Sequence, residues 1–162
     1  METYLWKISK EKLNETNLAK YSSFIKKNHG VDFVNDFNKI WKWSIDNPEI
    51  FWKSIWDFTK VKGEPGNNLI EKSDIFHKNR FFPDAKLNYA ENLLIKSSEE
   101  SSIVFKSENG YKNNLSWKNL KINVSEVSAW MKEQGIKKGD RVAGYLPNIP
   151  ETVIAYISTA TL

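Results

Sequence analysis

The sequence predicts an α/β fold: a helical amino-terminal segment, then a β-hairpin, then βαβα elements. Three observations point there. Apolar residues recur at helical spacing through the first 60 or so positions. The polar run Ser97-Ser98-Glu99-Glu100-Ser101-Ser102 interrupts the chain like a linker. Beyond it, short β-type runs alternate with helical patterns, and a strand, helix, strand and helix in that order imply a right-handed crossover in one sheet.

In order along the chain, residues 16–30 predict a short helix with Leu18, Tyr21 and Phe24 or Ile25 inward, Thr16 capping and Gly30 ending it. Residues 32–46 predict a second, with Phe33, Phe37, Ile40, Trp41 and Ile45 on one stripe. The run Asp46-Asn47-Pro48-Glu49 supplies a cap, a first-turn proline and a reaching glutamate for a third helix to about Thr59, carrying Phe51, Trp52, Ile55 and Trp56. Stacked aromatics can bind bases or sugars, but at this periodicity they read as packing. Residues 63–68 (GEPGNN) hold glycines without a following Lys-Ser/Thr, so they read as a plain loop and not as a phosphate cradle.

Asn88 and Glu91 have capping-box spacing and start a helix with Leu93, Leu94 and Tyr89 as inward candidates. Residues 103–105 and 111–115 flank Glu108-Asn109-Gly110, a hairpin signal. Ser116 caps a helix bearing Leu120, Val124, Val127, Ala129, Trp130 and Met131, ended by Gly135. Residues 136–140 turn the chain and 141–146 read as a strand. Asn148-Ile149-Pro150-Glu151 caps the last helix. Val153, Ile154, Ala155, Tyr156, Ile157, Ala160 and Leu162 cover most of that helix's circumference, so it is expected to lie inside a larger body that continues.

Composition narrows the function classes. The chain has 162 residues, 40% hydrophobic and 27% charged, with seven Trp, which suits a globular body with a ring-rich core. It has no Cys, which excludes disulfides, thiolate metal sites and a Cys nucleophile. The net charge of +4 comes from dispersed lysines, with Arg80 and Arg141 the arginines, and nucleic-acid binding is not expected. No run approaches the roughly 20 apolar residues that span a bilayer, nor does the start resemble a signal peptide. A cytoplasmic protein is expected, in which the sequons at Asn14, Asn114 and Asn123 stay idle. His29 and His77 are too few for a metal site. Glu99 and Glu100 read as solvated, Lys137 and Lys138 as water-facing, and Gly139-Asp140 as turn formers.

Four stretches carry a resemblance: Leu5-Trp6 before a helix; Trp41-Lys42-Trp43-Ser44-Ile45 with the run from Phe51 to Phe58; the run FFPDAKLNYAENLL from Phe81; and GIKKGDRV from Gly135, continuing through Tyr145-Leu146-Pro147-Asn148. In these the chain resembles the adenylate-forming acyl-CoA synthetases over essentially its whole length, matching only the front part of a longer enzyme. The resemblance implies three regions: a helical amino-terminal region over 1–96, a linker over 97–102 and the start of the AMP-binding domain over 103–162. It implies an acid–thiol ligase that activates acetoacetate with ATP and Mg²⁺ to an acyl-adenylate and passes the acyl group to CoA. The family's phosphate loop, nucleotide motif, ribose-binding Asp and catalytic Lys all fall later. No catalytic, cofactor-binding or metal residue is therefore carried over to this sequence. The piece alone is expected to be inactive, with the remainder of its own chain as its partner. Two alternatives stay open: a non-catalytic binding or scaffold module of the same fold, and a synthetase for another short-chain acid.

Overall fold

The computed structural model describes residues 6, 8–33 and 36–162. Leu5 of the opening stretch, and Val34 and Asn35 of the second predicted helix, lie outside the described residues. The chain forms two compact units, residues 1–86 and 87–162.

The first unit is helical. α1 (Lys10–Glu15) begins at Ser9, whose side chain accepts from the Lys12 N–H, and no sequence signal was read for it. Thr16 separates it from α2 (Asn17–His29) while serving both. Its hydroxyl donates to the Leu13 carbonyl at 2.7 Å and accepts from the Ala19 N–H at 3.2 Å. Gly30, at φ 71°, ends α2 in the left-handed conformation that favours glycine.

α3 (Phe37–Asp46) starts five residues later than the sequence predicts. Asp36 caps it by accepting from the Asn38 and Lys39 N–H groups, so Phe33 enters the core from the preceding loop. The stripe is corrected too. Ile40 is buried and Trp43 packs on the core, whereas Phe37, Trp41 and Ile45, spaced i, i+4, i+8, are exposed.

α4 (Pro48–Thr59) has the predicted span, but Asn47 makes no side-chain cap bond. Its amide donates instead to the Trp43 carbonyl at the end of α3. A short ladder, β1 (Ile70–Glu71) against β2 (Arg80–Phe81), encloses a single 3₁₀ turn, Phe76–Lys78. Two-residue strands leave too little alternation to be read from sequence.

This unit's core is built from rings. Tyr21, Ile25, Phe33 and Ile40 are surrounded by Phe24, Trp43, Phe51 and Phe58. Tyr21 meets Phe58 at 5.2 Å and Phe51 at 6.2 Å between centroids, both edge-on, the arrangement ring quadrupoles favour. The buried hydroxyls of Tyr21 and Ser54 bond at 2.7 Å, and Ser54 donates to the Phe51 carbonyl.

The second unit is α/β. α5 (Tyr89–Leu93) buries Ala90 and packs Leu93 and Leu94 inward, while Tyr89 is exposed. β3 (Ser101–Lys106) and β4 (Lys112–Ser116) form the hairpin, with Ile103 opposite Leu115 and Phe105 opposite Asn113. Ser101 and Ser102, read as linker, belong to β3. Gly110 at φ 88° closes the turn.

Ser116 caps α6 (Trp117–Glu133) through the Asn119 N–H. Leu120, Val124, Ser128 and Met131 face inward, but Ala129 and Trp130 are exposed. α7 (Pro150–Thr161) is capped at Ile149 without the predicted Asn148 bond, and the Thr152 hydroxyl donates to the Pro147 carbonyl at 2.6 Å instead. Ile154, Ile157 and Ser158 of α7 are buried, while Val153 and Tyr156 remain exposed. Ser158 donates to the Ile154 carbonyl within its helix and lies 3.2 Å from the Val124 carbonyl of α6, a close approach that a larger side chain would block.

The predicted strand over 141–146 is not formed. Among the described residues nothing pairs with it, and a strand exists only as part of a ladder. No crossover is present among the described residues, and the α/β character of this unit rests on its hairpin and helices.

Candidate functional site

The turn at residues 137–140 is a closed backbone device. Asp140 N–H donates to the Lys137 carbonyl at 3.1 Å, and Asp140 Oδ2 accepts from the Lys137 N–H at 2.9 Å. Gly139, at φ 98°, is the residue that allows it. The aspartate is thereby occupied in shaping the chain, and Lys137 and Lys138 point into water.

After that turn residues 142–146 run alongside α7. Val142, Ala143, Gly144 and Leu146 form one wall of a cavity of about 590 Å³; Thr152, Ala155, Tyr156, Thr159 and Ala160 form the other. This lining is apolar apart from two threonine hydroxyls and the Tyr156 phenol. The hydroxyls of Thr152 and Thr159 donate to the Pro147 and Ala155 carbonyls. No cation faces the space, so these residues do not fit a nucleotide triphosphate, whose charge requires cations or converging N–H donors.

The loop over residues 63–68 is held by backbone and close contact. Glu64 and Lys86 exchange backbone hydrogen bonds at 2.9 Å, and a Cβ on Gly66 would stand 2.7 Å from Asp84 Cβ. Gly66 is required by contact with this aspartate as well as by its φ of 78°.

The remaining singled-out residues are dispersed. Glu99 pairs with Lys118 at 2.9 Å; the bond holds the carboxyl below its ordinary range and pushes the ammonium up. His29 rests near the Trp43 ring, and His77 is exposed in the 3₁₀ turn. Among the described residues no three His, Asp or Glu side chains gather as a metal site. No helix among them is long and apolar enough to cross a membrane. What sequence reading missed is the cavity, whose two walls belong to one element that never became a strand and one helix. The missed feature left only one trace: the apolar character of both segments.

Residues 37–93 match the family model of the acetyl-coenzyme A synthetase N-terminus, and residues 96–162 match that of the AMP-binding enzymes. In these two matches the chain is similar to the amino-terminal portion of acetoacetyl-CoA synthetase-like AMP-binding enzymes. Over 161 residues it is 34% identical to an acetoacetyl-coenzyme A synthetase of Rhizobium meliloti (strain 1021), covering 99% of this chain and 25% of that one. A malonamoyl-CoA synthetase of Penicillium aethiopicum is 27% identical, with 99% of this chain and 23% of the relative covered. Among solved structures, acetoacetyl-CoA synthetase from Streptomyces lividans superposes with a TM-score of 0.83 at 26% identity, over 98% of this chain and 25% of that one.

The chain therefore spans about a quarter of the length of the relatives it matches, and corresponds to their amino-terminal portion. The mixed α/β class and the acetoacetyl-CoA synthetase-like character expected from the sequence both hold. ATP and CoA use is a property of the family's whole enzymes, and no residue described above is assigned to binding them.

Proposed function

We propose that the whole protein to which this amino-terminal quarter corresponds is an AMP-forming acetoacetate–CoA ligase. It joins acetoacetate to ATP in the presence of Mg²⁺, releases pyrophosphate, and transfers the acyl group from the adenylate to CoA. The 162 residues alone serve as framework and turn over no substrate. The observation that carries this reading is the 34% identity to an acetoacetyl-CoA synthetase, sustained over 99% of the chain. In the same reading, residues 1–96 are the helical amino-terminal region, 97–102 the junction whose last two residues open β3, and 103–162 the opening of the adenylation domain, and the protein works in the cytoplasm.

Acid-dependent exchange of labelled pyrophosphate into ATP tests it. A protein extended to the length of the relatives is expected to exchange with acetoacetate in clear preference to acetate or malonamate, and the 162-residue chain to give background rates. Preference for malonamate would remove the acetoacetate assignment while leaving the ligase class. Exchange by the short chain would remove its framework role.

A further inference from the structure

We propose that Asn109 is a modification site: its side-chain amide deamidates without an enzyme, and the closed β3–β4 turn is the latch that holds this reaction back. Asn109 and Gly110 are the one Asn-Gly pair in the sequence. Glycine carries no side chain to shield its backbone nitrogen, so that nitrogen can attack the carbonyl of the side chain before it. Residues 108–111 are exposed, so water reaches the pair.

The reaction uses water and no other reagent. Hydroxide takes the proton from the Gly110 N–H, and the nitrogen's electron pair forms a bond to Cγ of Asn109. The Cγ–Nδ2 bond breaks, and Nδ2 takes up a proton from water and leaves as ammonia. A five-membered imide remains. Water opens it at Cγ to give aspartate, or at the main-chain carbonyl to give isoaspartate, in which the chain runs on through Cγ. The net change consumes water, releases ammonia and replaces an amide with a carboxyl group; nothing is oxidised or reduced.

The closed turn opposes the first step at both reacting groups. Gly110 N–H donates to the Ser107 carbonyl at 3.1 Å, which engages the attacking nitrogen. Asn109 Oδ1 accepts from the Tyr111 N–H at 3.1 Å and from the Ser107 hydroxyl, which keeps the carbonyl under attack from turning towards that nitrogen. Ser107 N–H donates to the Tyr111 carbonyl at 2.9 Å, and the Phe105 and Tyr111 rings meet across the strands at 6.2 Å. Attack therefore proceeds from the opened turn. Isoaspartate lengthens the backbone between strands in fixed register, and either product sets a new carboxylate beside the Lys106–Lys112 pair. The inference rests on the hairpin alone and is independent of the acetoacetate reading.

Peptide mapping by mass spectrometry, after incubation near neutral pH, measures the converted fraction at Asn109. The folded chain is expected to convert slowest and the chain in guanidinium fastest. Ser107→Ala removes one hydrogen bond of the latch from an exposed turn, and is expected to convert about threefold to tenfold faster than the unaltered chain. A Ser107→Ala rate equal to or below that of the unaltered chain overturns the latch, because the hydroxyl is then idle or assists the attack. Equal rates with and without guanidinium overturn it as well. Absence of conversion in guanidinium, or a mass change that persists in the same peptide of Asn109→Asp, overturns the site.

Discussion

The two units solve the same problem with different materials. In residues 1–86 the core is a stack of rings whose edges meet faces, with a buried Tyr21–Ser54 hydroxyl pair inside it. In residues 87–162 the core is aliphatic, built from Leu120, Val124, Ile154, Ile157 and Ala90, and the polar link is at its edge, through Asn88. Large rings meet at 5 to 6 Å between centroids and tolerate a polar atom at one end. Branched aliphatics gain only by close interdigitation, and α7 can approach α6 closely because a serine, Ser158, stands where they touch. The difference teaches where each unit is brittle.

The largest effect is expected in the second unit. Ile157 is only 2% exposed at the centre of the aliphatic cluster. Ile157→Ala removes three carbons from that close-packed cluster, and is expected to cost about 2–5 kcal/mol. Chemical denaturation followed by circular dichroism measures it, and a cost under about 1 kcal/mol would mean that α7 is not anchored there.

A smaller effect is expected at the edge of the first unit. Gly66→Ala combines a backbone angle that L-residues avoid with a Cβ 2.7 Å from that of Asp84. Overpacking of this kind typically costs about 1–3 kcal/mol. A thermal melt equal to that of the unaltered chain would show that the loop yields freely.

The smallest effect depends on pH. Burial raises the Tyr21 phenol above its ordinary 10.0, opposed by the bond to Ser54. A raised folded-state value contributes stability that is fully present below about pH 10. It is lost as pH rises through the folded value, because the unfolded chain ionises first. The fall in melting temperature between pH 9 and pH 11 is therefore expected to be greater for the unaltered chain than for Tyr21→Phe. Equal falls would mean that the hydroxyl is hydrated and the ring core is wet.

Element boundaries were readable where their cause is local. Thr16 and Gly30 bracket α2, Ser116 starts α6 and Gly110 turns the hairpin, each through atoms within a few residues. Helix faces were less readable. Periodicity finds the apolar stripe of α3 but cannot say that Ile40 and Trp43 face the rings of α2 and α4 while Phe37, Trp41 and Ile45 face outward. Trp130 on α6 and Tyr89 on α5 failed in the same way, because an amphipathic ring satisfies an apolar pattern without needing burial. Residues 141–146 failed for another reason. Their composition fits a strand, but strand formation needs a second strand, and among the described residues there is none beside them.

In the candidate site, the sequence was sufficient to show that Gly139 and Asp140 set a turn, and Asp140 closes it by accepting from the Lys137 N–H. The cavity beside α7 was not readable, since its walls meet only once the chain folds back.

The sequence by itself determined the family resemblance, the order of the main helices and the hairpin, because these follow from residue identity and short-range backbone preference. Tertiary structure alone decided which faces turn inward, that 141–146 stays unpaired, and that Asn88 reaches α7. Those are contacts between positions far apart in the chain, and their free energy exists only when both partners are in place.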